Sequence, residues 1–401
     1  MLSPITAFSS SSNVSNVVSK KWESEKTMQA RQIRSILFPL HRYLGLVVGL
    51  ILIIVGVTGS LLVFSHELQD RLIVEKFGAI APQETLVSID QVFNAAQTFI
   101  QQVPGYSING ILFPQHPGQP YQARLWKDDQ LIQLFIHPHN GNVLGTLSEQ
   151  DSWITWILRL HYQLLAGDTG LIVVGVAGFL MTILGITGTA LWPGWRRLVM
   201  GFKIKWNAHP KRRNFDIHKV AGIIAAVFLI LTGFTGFCWN FYAQSTAVIK
   251  AITFTPAEPA WQSKALPNQK PLPLSDLLAR SNQALPGAAT IFMALPSQPD
   301  GVVRVGKRQT HETNPYGQSN VILDAYSGQV LRVNDSRRAA LGDRILNSFG
   351  PLHFGTFGGL WTRWLYVLVG LSPIALLWTG VRMWQYRKKP SPPAQGATDA
   401  P

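Results

Sequence analysis

Residues 40–68 read LHRYLGLVVGLILIIVGVTGSLLVFSHEL, and this stretch decides the fold. From Leu44 to Ser65 it runs 22 residues without a charged side chain. That is enough helix, at ~1.5 Å per residue, to cross ~30 Å of hydrocarbon. A buried helix of a soluble protein would keep some polar face, so this run reads as a membrane span. Three further apolar runs, at roughly 170–192, 220–242 and 363–384, have the same character, and only 14% of the 401 residues are charged. The expected fold class is therefore membrane α-helical with four transmembrane helices.

The same stretch is the first copy of a repeat. His41 and His218 each open an apolar run, and the Thr-Gly pairs Thr58-Gly59 and Thr235-Gly236 follow 17 residues later, every second member lying 177 residues after its first. His161, Thr187-Gly188 and Trp192 match His353, Thr379-Gly380 and Trp384 with a constant offset of 192. Each half then consists of a span, an intervening segment and a span. Spans 1 and 3 share one direction, so the axis relating the halves is a pseudo-twofold along the membrane normal. Equivalent residues fall at equal depth.

Charge sets the expected topology. The formal net charge of +14 invites a nucleic-acid reading, but the basic residues sit in alternate connections. Residues 194–219 hold Arg196, Arg197, Lys203, Lys205, Lys211, Arg212, Arg213 and Lys219 against the single acid Asp216. The segment before span 1 and the end of the chain are also basic. The positive-inside rule then places both termini and this loop in the cytoplasm, with no nucleic-acid partner and with the lipid bilayer as the surrounding medium. The first apolar run begins too far along the chain for a cleavable signal, so span 1 reads as an uncleaved anchor. Cys238 is the lone cysteine and lies in span 3, so the two long outer segments must be held by their cores alone.

Those outer segments repeat as well. A helix-like stretch from Ser88 leads through Pro104-Gly105 to strand-like runs at Ile108–Pro114, Tyr121–Trp126 and Leu131–His137, then to a turn at Asn140-Gly141-Asn142 and Val143-Leu144. The second copy starts at Ser275, passes Pro286-Gly287, and continues with runs at Thr290–Leu295, Val302–Lys307 and Asn320–Asp324, a turn at Ser327-Gly328 and Val330-Leu331. Each is a small α+β module outside the cytoplasmic membrane.

Paired histidines at matched depth point to a metal macrocycle, and haem is the obvious occupant. A histidine at a membrane interface often serves only to anchor its ring among headgroups, and that reading suits any one of the four alone. Recurrence in both halves favours axial ligation, His41 with His218 and His161 with His353, since two neutral imidazoles hold a low-spin haem iron on both faces. His66, beside Glu67, breaks the repeat because its counterpart is Ala243. Three roles are open to it: replacing one ligand, bonding a propionate, or receiving incoming iron. His137 and His139 read as surface flanking a turn, and His116, His209 and His311 as loop residues. The Gly-x-Thr-Gly elements at Gly56–Gly59, Gly185–Gly188 and Gly233–Gly236, with Leu377 replacing the first glycine of the fourth, are explained by close helix packing. Their depths add a second expectation: each Thr-Gly pair clears room for the ring held by the other helices. Tryptophans at span ends, among them Trp153, Trp156, Trp192, Trp195, Trp361, Trp364 and Trp384, read as an aromatic belt. No Gly-rich fingerprint for NAD or flavin follows any predicted strand.

With LHRYLGLVVGLILIIVGVTGSLLVF, SHEL, RLHYQLLAGDTG, DIHKVAGI and PLHFGTFGGL in view, the chain resembles the PepSY-associated transmembrane helix family over about residues 35–388. The resemblance implies an inner-membrane protein of bacteria whose outer modules are PepSY-like, and a kinship with haem-containing siderophore reductases. The expected division is a disordered cytoplasmic tail at 1–35, span 1 at 36–66, a first PepSY-like module at 67–150, and an interfacial helix with span 2 at 151–193. A basic cytoplasmic loop at 194–217, span 3 at 218–243 and a second PepSY-like module at 244–340 follow. An interfacial segment with span 4 at 341–386 and a cytoplasmic tail at 387–401 complete the chain. The expected function is a membrane reductase carrying two b-type haems and passing electrons outward to ferric iron or a ferric siderophore, supplied by a quinol or a cytosolic reductase. The alternatives are a haem-free PepSY regulator that binds peptides or restrains a protease, and a siderophore-uptake accessory without redox chemistry. The cofactor-binding residues are expected to be His41, His218, His161, His353 and His66, the first four as ligands of iron.

Overall fold

The computed structural model describes residues 11–128, 130–264 and 269–388. Four helices among them are long and apolar enough to cross a membrane, at Gln32–Leu62, Gly167–Trp195, Pro210–Asn240 and Thr356–Tyr386. Helix α1 runs from Ser11 to Leu62. The expected tail at 1–35 is thus helical from Ser11 onward, because residues 20–34 are dominated by Lys, Glu, Gln, Met, Ala and Arg, all strong helix formers. Residues 1–10 and most of the tail expected at 387–401 lie outside the described residues. After a break at Val63–Phe64, α2 (Ser65–Phe77) carries the His66-Glu67 pair.

The outer segment of the first half contains α3 (Ile89–Gln102) and strands β1 (Ser107–Leu112), β2 (Tyr121–Lys127), β3 (Gln130–Ile136) and β4 (Val143–Ser148). Ser88 opens α3 with a capping box: its hydroxyl accepts from the Gln91 amide, and the Gln91 side chain accepts from the Ser88 amide. Helices α4 (Trp153–Gln163) and α5 (Gly167–Leu191) follow, then α6 (Leu198–Phe202) and α7 (Pro210–Asn240). Helix α7 therefore starts eight residues before the expected boundary at 218. Pro210 suits a first helical turn, and the one acid of the basic loop, Asp216, is buried between Lys219 Nζ at 2.7 Å and Arg212 Nη2 at 3.1 Å. Those contacts, with Lys219 Nζ also donating to the Met200 carbonyl, let the helix continue beyond the apolar run.

The second half repeats the order with α8 (Tyr242–Ile252), α9 (Leu274–Ala284), strands β5 (Ala289–Ala294), β6 (Val303–Arg308), β7 (Ser319–Leu323) and β8 (Val330–Asn334), and helices α10 (Leu341–Phe354) and α11 (Gly359–Lys388). The strands do not form two separate modules. They make one antiparallel sheet of eight strands in the order β4-β3-β2-β1-β5-β6-β7-β8. The seam pairs Gly110 with Ala294, Ile111 with Met293 and Leu112 with Phe292. Gly110 has to be glycine, because the ring and backbone of the facing strand occupy the space a Cβ would take. A single core joins Val92 and Ala96 of α3 and Leu277 of α9 to Ile111, Met293, Val305 and Val321 of the sheet. The Asp90 carboxylate in α3 also accepts from the Leu274 and Ser275 amides, capping α9 from the other half.

The chain separates into two compact units. One contains the helical residues up to Ile53, Phe179–Gly233 and the chain from Ser372; the other contains Ile54–Gly178 and Phe234–Leu371, including the whole sheet. In the first unit, α1 meets α11 where Leu377 packs onto Gly49. Leu377 is the residue that replaces glycine in the fourth Gly-x-Thr-Gly element, and its side chain fills the space Gly49 leaves. In the second unit, Ser60 donates to the Val367 carbonyl at 3.0 Å, and Gly370 lies against the Gly56 carbonyl.

Candidate functional site

Each unit contains one facing pair of imidazoles. His41 of α1 and His218 of α7 have ring centres 6.3 Å apart with planes at 89°. His161 of α4 and His353 of α10 have centres 6.1 Å apart with planes at 76°. These are the pairings the sequence offsets predict, and both are reached through helices far apart in the chain.

The position of each ring is set by a Thr-Gly pair on a neighbouring helix. His41 Nδ1 lies 2.9 Å from Thr187 Oγ1, His218 Nδ1 2.9 Å from Thr379 Oγ1, His161 Nδ1 3.2 Å from Thr58 Oγ1, and His353 Nδ1 2.8 Å from Thr235 Oγ1. The glycine after each threonine takes the edge of the same imidazole. A Cβ there would stand 3.0 Å from His41 Cε1 at Gly188, 2.9 Å from His161 Cε1 at Gly59, 3.4 Å from His353 Cε1 at Gly236 and 3.9 Å from His218 Cε1 at Gly380. The Thr-Gly pairs thus sit level with the histidines, as their depths predict, and the ring they receive directly is the imidazole. Sequence reasoning treated these threonines as packing residues. The repeated spacing was the available signal, since the Thr-Gly pairs recur with the same offsets as the histidines.

Local structure holds the second pair further. Helix α4 ends in two left-handed residues, Leu164 and Leu165, and Asn240 bridges that turn by donating to the carbonyls of Tyr162 at 3.0 Å and Leu171 at 2.7 Å. His161 Nδ1 also reaches the Val55 carbonyl at 2.9 Å. A carbonyl only accepts, so Nδ1 carries the proton and Nε2 keeps its lone pair. Burial pulls this histidine down to about 4, so its ring is neutral near pH 7. His353 rests on Trp239, with ring centres 4.8 Å apart.

This donor arrangement suits a metal in a particular way. A metal–imidazole bond of ~2.0 Å plus ~1.2 Å from nitrogen to ring centre separates two imidazoles on opposite faces of one metal by about 6.4 Å, centre to centre. Both pairs match that separation. Among the described residues no cluster of three or more His, Cys, Asp or Glu is placed to hold a metal ion. Two trans imidazoles alone complete a metal that already has four donors in a plane.

The remaining candidates fall elsewhere. His66 stands outside the His161–His353 pair, with its ring 4.9 Å from that of Tyr316; burial holds it below the usual histidine range, against the opposing pull of Glu67 and Asp70. Its neighbour Glu67 is clamped by Arg363, whose guanidinium nitrogens lie 2.6 and 2.7 Å from the carboxylate, reach the Val63 carbonyl at 2.8 Å and cover the Phe64 ring at 4.4 Å. That clamp fixes the break between α1 and α2. His116 pairs with Asp70 at 3.0 Å, and His139 bonds the Thr85 carbonyl at 2.7 Å. Of the span-end tryptophans, Trp153, Trp156, Trp195, Trp361 and Trp364 are exposed as an aromatic belt requires, whereas Trp192 is buried against Trp195 and Phe202.

Known proteins share this framework. An uncharacterized protein of Pseudomonas aeruginosa is 25% identical over 264 residues, a match covering 60% of this chain and 65% of that protein. The chain therefore spans about 65% of the length of the curated relative it matches. The family model described as the PepSY-associated TM region matches residues 38–387, nearly the whole described chain. With four apolar helices bracketing an antiparallel sheet over that same range, this chain belongs to the PepSY-associated TM region family.

Proposed function

We propose that this protein is a haem-bearing oxidoreductase of the bacterial inner membrane that passes electrons outward to ferric iron or ferric-siderophore complexes in iron acquisition. The observation that carries this reading is the twofold occurrence of facing imidazoles at about the spacing of trans axial ligands, each anchored through Nδ1 so that Nε2 is left for a metal. His41 with His218, and His161 with His353, would each hold one b-type haem. When bound, the group supplies a one-electron couple, with both axial positions filled and no open site for oxygen.

The chain's own residues do the rest. The histidines bind, the threonines and glycines orient them, and the apolar helices exclude water. Charge distribution supports cytoplasmic termini, and hence a first pair at the cytoplasmic end of the helices and a second towards the outside. The constant offsets of 177 and 192, together with a sheet order that reads alike outward from its centre, support two duplicated halves about an axis along the membrane normal. The outer segments, as PepSY-like modules sharing one sheet, would gather the ferric chelate or brace the helices. The electron donor is a quinol or a cytosolic reductase, as the chain has no nicotinamide or flavin fingerprint among its predicted strands.

A visible spectrum of the full-length protein, purified in detergent from haem-replete cells, tests the proposal. The expected result is a Soret band with sharp α and β bands on dithionite reduction, and about two haems per chain. A colourless preparation overturns it and leaves the haem-free PepSY regulator or the non-redox uptake accessory.

A further inference from the structure

We infer that Thr58, Thr187, Thr235 and Thr379 are positioning residues that fix the tautomer of the four histidines and tune how strongly each imidazole donates to a bound metal. The inference rests on the haem reading above and deepens it.

The argument begins with one proton. Thr58, Thr187 and Thr379 each donate the hydroxyl hydrogen to the carbonyl four residues back in their own helix, Ile54, Ile183 and Ala375, all at 2.7 Å. The carbonyls three residues back lie at 3.0 to 3.2 Å and compete for the same hydrogen. A hydroxyl has a single hydrogen to give. Towards the imidazole the oxygen can therefore only accept, which requires a hydrogen on Nδ1 and leaves the Nε2 lone pair free. The four threonines are 1 to 6% exposed, so water does not replace the bond, and a buried imidazole N–H without it is costly.

A free neutral imidazole has no such preference imposed on it; here the helix imposes the ligating form before any metal arrives. Accepting from Nδ1–H also makes the ring a stronger donor through Nε2, as in other metal sites where the far nitrogen is hydrogen-bonded. A stronger axial donor stabilises the ferric state. Loss of the acceptor should thus raise the midpoint potential. A threonine that only filled space would be replaced by valine, its near-isostere, without electronic effect.

The experiment compares Thr187→Val and Thr58→Val with Thr187→Ser and Thr58→Ser in the full-length, detergent-purified chain. Haem content and spectroelectrochemical midpoint potentials are measured, together with histidine ring nitrogen shifts by NMR of the haem-free protein. Expected are an upward potential shift confined to one of the two couples in each valine variant, restoration towards wild type in the serine variants, and loss of the Nδ1–H signature of one histidine. Retained haem with unchanged potentials and ring shifts in the valine variants would overturn the positioning role while leaving the haem reading intact. If valine variants lose their haem, the ring shifts of the haem-free protein decide: an unchanged tautomer refutes the inference. A wild-type protein without haem removes both proposals together.

Discussion

The imidazole planes of His41 and His218 stand at 89° to one another, with their centres 6.3 Å apart. Perpendicular axial rings leave the two metal orbitals that interact with them nearly equal in energy. The oxidised protein should then show a strongly anisotropic low-spin EPR signal with one large g value, and the pair at 76° a similar one. A single near-rhombic signal from both sites would mean that the rings reorient on binding.

The two pairs reside in separate units, so their ligands should act independently. His41→Ala and His161→Ala are each expected to remove about half the haem, measured by pyridine haemochrome against protein concentration. Undiminished haem in both variants would refute the pairing.

Glycine substitutions rank by the room available. Gly59→Ala and Gly188→Ala place a methyl group 2.9 and 3.0 Å from an imidazole carbon, whereas Gly380→Ala places it at 3.9 Å, ordinary contact. The first two should displace His161 and His41 and cost roughly 1–3 kcal/mol of overpacking; the third should be close to neutral. Haem retention and thermal melting of the three variants give the order directly.

Lys307 is fully buried in β6, donating to Asn282 and Thr290, and burial pulls its ammonium down to about 8. The unfolded lysine titrates near ~10.4. Between these values the unfolded chain binds the extra proton, so stability from this group rises with pH from about 8 to ~10.4 and is flat below. Melting temperature against pH should show this rise in the wild type and lose it in Lys307→Met. An equal slope in both proteins would assign it to another group.

Arg363 holds the Glu67 carboxylate below the usual glutamate range, chiefly through its hydrogen bonds. The carboxylate is half exposed, so the pair contributes only ~0.2–1 kcal/mol. That stabilisation is present above the ordinary glutamate value of ~4.3 and is lost as pH falls through the lower folded value. Glu67→Gln should be slightly less stable at pH 7, and the gap should close in acid.

Much of this was legible in the sequence because membrane burial writes long, simple patterns. The uncharged run from Leu44 to Ser65 announces a span, and the shared offsets pair His41 with His218 and His161 with His353. The strands at Tyr121, Gln130 and Val303 follow alternation and turn residues such as Asn140-Gly141. What was not legible depends on contacts between distant segments. Nothing near Ile111 names Met293 as its neighbour across the seam, and Asp216 reveals its partners only once α7 has formed. The threonines were visible as a repeat but not as hydrogen-bond acceptors, because that role needs the ring to arrive from another helix. The helix at Ser11–Arg34 lacks an apolar period and rests on residue preferences alone.

The pairing of Gly110–Leu112 with Phe292–Ala294 has a consequence for biosynthesis. Strand β1 is made early, yet its neighbour on that side is translated some 180 residues later, after the third apolar helix. Throughout that interval the nascent protein presents an open strand edge, the kind of surface that invites aggregation or capture. A ribosome stalled between these segments would release a fragment whose half-sheet has nothing to close against, and quality-control proteases should clear it far faster than the finished polypeptide.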